Sequence, residues 1–165
     1  MITADITSEG GLAAGNITAL APDGAITTGD LTSRSVVGDA GDITVAAGGD
    51  VETGDISSLG GGNSGDITVT STGGNVTTGD IASIAETGSA GDITVAAFGD
   101  VNTGTITSSG ATGDGNISVT SVTGTVNGRD LSVEPEAVGS ESAPNQLPVG
   151  NPATTNSNAG AIINN

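Results

Sequence analysis

The chain has no cysteine, histidine, lysine, tryptophan or tyrosine, and Phe98 is its only phenylalanine. Each absence narrows the range of functions. Without histidine and lysine, the commonest proton-transfer groups of an active site have no carrier. With Phe98 its one aromatic ring, the chain offers no aromatic platform on which a sugar could stack. Arg34 and Arg129 are the only basic residues against 19 acidic ones, a formal net charge of −17. That imbalance argues against nucleic acid and anionic membrane surfaces as partners, and it favours solubility. No apolar run reaches 18 residues, so no helical membrane span is expected. The opening Met-Ile-Thr-Ala-Asp carries neither the basic patch nor the apolar stretch of a signal peptide. The lack of cysteine leaves the redox compartment open. Large apolar side chains are scarce enough, at this charge, to put the composition near that of disordered segments.

What is present is periodic. Ile6, Leu31, Ile56, Ile81, Ile106 and Leu131 follow one another at steps of 25. Ile26, Val51, Val76, Val101 and Val126 do the same, while Ile17, Ile43, Ile67, Ile93 and Ile117 step by 26, 24, 26 and 24. A beat this strict means one supersecondary unit stacked on copies of itself, a solenoid that needs only a narrow apolar column per strand. Each period holds three anchors. Strand one reads Ile43-Thr44-Val45, strand two Val51-Glu52-Thr53 and strand three Ile56-Ser57-Ser58, all rich in residues that favour strands. Glycine recurs too often for a helix and lies two residues before nearly every anchor, as at Gly41, Gly49 and Gly54. Glycine at each corner suggests a backbone bending through φ > 0.

Three strands and three corners describe an all-β fold: a right-handed parallel β-helix of triangular coils, about 25 residues each, with neighbouring coils about 4.8 Å apart. The expected organisation is a stack over 1–133, a Pro/Ser/Asn-rich loop, strap or linker over 134–161, and the start of a further strand over 162–165. Four of the five prolines fall in the middle segment (Pro135, Pro144, Pro148, Pro152). Ile162 is the expected anchor of that last strand. On this alignment the chain opens at a third strand, and neither end completes a coil.

Runs such as Thr28-Gly29-Asp30-Leu31-Thr32-Ser33 and Ser64-Gly65-Asp66-Ile67-Thr68-Val69 resemble the glycine-rich repeats of filamentous-haemagglutinin-like exoproteins, the secreted partners of two-partner secretion systems. The resemblance covers about residues 4–133. It implies a right-handed β-helix shaft, export across an outer membrane and attachment at the cell surface. The Asn-Pro-Asn core of the family's secretion domain is absent, since the nearest run is Asn151-Pro152-Ala153. The resemblance is therefore to the shaft.

Acidic columns precede the anchors: Asn16, Asp42, Asp66, Asp92, Asn116 before strand one, and Asp30, Asp55, Asp80, Thr105, Asp130 before strand three. Like charges one coil apart repel by only about 0.9 kcal/mol in water. Asp and Asn are good acceptors for backbone N–H groups at tight turns, which is the simpler reading. The sharper one is that Asp30, Asp55 and Asp80, or Asp42, Asp66 and Asp92, hold Ca²⁺ between coils. No other cofactor is expected. Catalysis is not expected either, because the carboxylates are spread along columns and the two arginines belong to different coils. Outward Thr18, Thr44, Thr68 and Thr94 invite comparison with ice-binding arrays, but those use two outward columns and strand one is expected to supply one. Phe98 reads as a local filler.

The expected function is structural: a secreted, extracellular shaft or fibre subunit that stacks head to tail with copies of itself. Uncapped ends expose strand edges, and the expected interface comprises Ile2, Ile6, Leu131, Val133, Ile162 and Ile163, with 132–161 bracing the joint. The alternative is a piece of a large surface adhesin that binds glycan or protein through its strand-three loops, 58–64 and 84–90.

Overall fold

The structure, a computed structural model, describes residues 1–133 and 161–164. The 134–160 segment expected to form a strap lies outside the described residues. Among those described there is strand and turn but no helix. In chain order the strands are β1 (Ile6–Gly10), β2 (Ile17–Ala21), β3 (Ile26–Thr27), β4 (Leu31–Ser35), β5 (Ile43–Ala47), β6 (Val51–Glu52), β7 (Ile56–Gly60) and β8 (Ile67–Ser71). There follow β9 (Val76–Thr77), β10 (Ile81–Ala85), β11 (Ile93–Ala97), β12 (Val101–Gly110), β13 (Ile117–Ser121), β14 (Val126–Val133) and β15 (Ala161–Asn164).

All pairings are parallel, and they reproduce the sequence beat residue for residue. Ile6, Leu31, Ile56, Ile81, Ile106 and Leu131 are successive Cα partners. So are Ile17 through Ile117 and Ile26 through Val126. The fold is a β-solenoid with three strand columns per coil. Within each strand the side chains alternate, as the pleat requires. Ile43, Val45, Val51 and Ile56 are 0–1% exposed, while Thr44 between them is not buried. The core is thus a thread of β-branched side chains stacked along the axis, from Ile17 to Val119.

The corner glycines serve a purpose other than the expected one. None of those described has φ in the left-handed region. A Cβ on Gly65 would instead lie inside the carbonyl of Gly41, its counterpart one coil below; Gly41 meets Gly15, Gly91 meets Gly65 and Gly115 meets Gly91 in the same way. A Cβ on Gly54 would run into the Asp30 carboxylate, and one on Gly79 into that of Asp55. Glycine is required because stacked corners approach too closely for a side chain.

Two further expectations need correction. In β15 it is Ala161, and not Ile162, that stands opposite Ile117; Ile162 takes the register position of Ser118 and Ile163 that of Val119. Three apolar residues in a row (161–163) leave a period-two pattern unable to fix register. The chain also does not open at a third strand. Ile2 bridges Thr27, and the Thr3 N–H donates to the Thr27 carbonyl at 3.0 Å, so the chain enters at strand two. With β15 added, each column holds six rungs among the described residues.

Replacing Gly65 by Ala is expected to cost about 2 kcal/mol, within the range for overpacking. Gly24, whose Cβ would meet nothing within 4 Å, should accept Ala with a change of no more than about 0.5 kcal/mol. Urea unfolding of the two variants checks the contrast.

Candidate functional site

The most organised polar features are ladders of side chains at the corners. In the strand-three column, the N–H groups of Asp30, Asp55, Asp80 and Thr105 donate to Oδ1 of Asp5, Asp30, Asp55 and Asp80 at 2.7–3.0 Å. In the strand-one column, the N–H groups of Asp42, Asp66, Asp92 and Asn116 donate to Oδ1 of Asn16, Asp42, Asp66 and Asp92 at 2.7–3.0 Å. The strand-two column starts later, with Asp50, Asn75 and Asp100 accepting from Asn75, Asp100 and Thr125 at 2.7–2.8 Å. Where the backbone turns a corner, a side-chain oxygen stands in for the carbonyl that a continuing strand would supply. Thr105 interrupts the strand-three ladder, and there backbone pairing runs through the corner as the long strands β12 and β14.

These contacts locate every residue of the suggested calcium columns. Asp30, Asp55, Asp80, Asp42, Asp66 and Asp92 each commit one oxygen to the backbone of the next coil. They stand in single file, and among the described residues no three acidic side chains converge in a metal-holding group. An open groove of about 380 Å³ along one corner includes Asp55 and Asp80, both already members of the ladder. The Asn16 and Asn75 rungs show that an uncharged carbonyl does the same work.

Asp100 is a special case. The Thr125 backbone N–H, and then the Thr125 hydroxyl at 3.0 Å, hold its carboxyl below the usual aspartate value of 3.8. Its contribution to stability is therefore complete above that value and is lost as the pH falls through the folded one.

Sequence reasoning missed a second, buried ladder. Ser33, Ser58, Ser83 and Ser108 are all 0% exposed. The Ser58 hydroxyl donates to the Gly41 carbonyl at 3.2 Å and accepts the Gly65 N–H at 2.8 Å, joining two coils from inside. Ser33, Ser83 and Ser108 repeat the arrangement, which satisfies polar groups that the core would otherwise strand. The signal was available, because Ser8, Ser33, Ser58, Ser83 and Ser108 keep the same step of 25. A further ladder, Asp39 to Asn63 to Ser89, staples the segment after strand three. The stretches 58–64 and 84–90 accordingly lie against neighbouring coils, through Gly61 N–H to Ser35 and Gly88 N–H to Gly62.

The outer face of strand one carries two columns where one was expected. Thr18, Thr44, Thr68, Thr94 and Ser118 form the first, and Leu20, Ala46, Thr70, Ala96 and Thr120 the second. The strands are five residues long, which adds the second outward position. Phe98 is 46% exposed at the margin of this face and fills no interior gap. Of the expected assembly residues, Ile2 is exposed and Ile6 packs on the core at one end. Leu131 and Val133 lie in β14, and Ile162 and Ile163 in β15, at the other.

Ser58→Ala should cost about 2 kcal/mol, since it leaves a buried N–H and a buried carbonyl unpaired; outward Ser57→Ala, in the same denaturation experiment, should be near neutral. Asp100→Asn keeps the acceptor, so its melting temperature should fall less than that of the parent between pH 5 and 2. No family model, curated protein or solved structure matches this chain.

Proposed function

We propose that the chain is a non-catalytic structural protein, an extracellular shaft that stacks end to end with copies of itself into a filament. The observation that supports this reading is the translation of the three columns: successive coils pair in parallel and in register, so a further copy could continue the ladder through the contacts the coils already make. Such contacts are heterologous and do not close, which generates a filament rather than a ring. The resemblance of the repeats to filamentous-haemagglutinin-like exoproteins supports export and a surface location. Adhesion through 58–64 and 84–90 is the weaker alternative, since both stretches are stapled to their neighbours.

Electron microscopy at high concentration should show filaments with an axial repeat of about 29 Å, six rungs of about 4.8 Å each. By the alternation of a parallel ladder, the Glu9 N–H of β1 faces the open edge, so Glu9→Pro should leave short rods. Short rods from the unmodified chain would refute the reading.

A further inference from the structure

Among the described residues, the outward positions on one side of this polyanion carry no charge. The ten outward positions of the strand-one face, from Thr18 to Thr120, are Thr, Ser, Ala and Leu only. Strand three, by contrast, turns Glu9 and Arg34 outward. Beside the neutral face runs one more column. The N–H groups of Gly48, Thr72, Phe98 and Val122 donate to the carbonyls of Ala21, Ala47, Ser71 and Ala97, one coil back in each case. Phe98 and Val122 are 46% and 71% exposed there.

We propose that this face is the interface of an antiparallel dimer, two solenoids packed side by side about a two-fold axis running along β8. The column pattern is what selects this axis. An axis parallel to the strands preserves each column and reverses the order of rungs. Rung three then meets itself, and rung four meets rung two. Phe98, the only aromatic side chain, falls on Gly48 of the second copy, the residue of that column with no side chain to obstruct it. Thr72 falls on Thr72 of the second copy, and Ala46 on Ala96. Every facing pair on the two outward columns is uncharged.

In a chain of net charge −17, this is the side on which two copies can meet without opposing carboxylates across the centre of the contact. The five rungs from β2 to β13, about 4.8 Å each, by seven residues of about 3.3 Å give about 550 Å² per copy. The total of about 1,100 Å² sits near the lower bound for a specific interface, so the dimer is weak. At the leading edge Asp66 faces its own copy and Asp42 faces Asp92. That rim repels, and salt relieves it as the Debye length shrinks from about 10 Å at 0.1 M to about 3 Å at 1 M. Association therefore strengthens with ionic strength. The contact uses the side of the shaft and is independent of the end-to-end stacking above.

The chain has no cysteine, so single thiols can be placed cleanly. Thr72→Cys sets one on the two-fold axis, and exposed Thr77→Cys sets a control on the strand-two face. With a short bismaleimide, Thr72→Cys should give cross-linked dimer at least tenfold faster than Thr77→Cys, and faster still in 1 M salt. Adding Phe98→Glu should remove that advantage, whereas adding Asp66→Asn should increase it. Equal rates for the two thiols, or a Thr72→Cys rate untouched by Phe98→Glu, would overturn the proposal. A monomer that shapes growing ice crystals would overturn it in favour of ice as the occupant. Filaments seen by microscopy, or their absence, bear on the end faces alone.

Discussion

Everything in this molecule depends on the separation between one coil and the next. A parallel ladder holds strands about 4.8 Å apart, and here that spacing is imposed at the corners as well as along the strands. At the corners it leaves no room for a Cβ, which is why glycine precedes the anchors at Gly41, Gly65, Gly91 and Gly115. It also brings each Asp Oδ1 within reach of the N–H one coil above. The same distance sets the stacking of Ile43 on Ile67 inside. Glycine, aspartate and isoleucine recur together because one distance constrains all three.

The ladders explain how so small a core can be ordered. Each coil buries only a handful of aliphatic side chains, too few to fix long irregular corners by packing alone. Corner polar groups are instead tied on two sides. Outside, Asp30 receives the Asp55 N–H; inside, Ser58 links the Gly41 carbonyl to the Gly65 N–H. The exposed rung tolerates either carboxylate or amide, as Asn16 and Asn75 show. The buried rung requires a small group that both donates and accepts, and serine meets that requirement. Corner geometry thus calls for an outward side-chain acceptor, and aspartate in most of these rungs is one source of the chain's acidity.

The repeat, the three columns and their register were legible because anchors spaced by 25 admit one parallel alignment. The step of 25 alone pairs Ile6 through Leu131. What was not legible has physical causes. Composition shows that a corner needs glycine but cannot tell a strained φ from a close approach, and the corner glycines turned out to be the second. Ser58 looked like one more polar strand residue, because hydropathy gives no warning of a hydroxyl held in the core by two backbone partners. Ile162 failed because Ala161, Ile162 and Ile163 suit either face equally. The Asp columns were read correctly as backbone acceptors, but their partners lie one coil away rather than within the turn.

The register that builds the fold also governs how copies can meet. The end-to-end joint proposed above would repeat a contact already made between coils, where Asp5 accepts the Asp30 N–H and Asp30 that of Asp55. A side-by-side contact has a different requirement, since it must oppose complementary positions rather than repeat identical ones. Phe98 and Gly48, two rungs apart in one column, supply that complementarity only when the second solenoid runs the opposite way. The axial growth and lateral pairing proposed above would therefore draw on different properties of the same columns, their translation in one case and their reversal in the other.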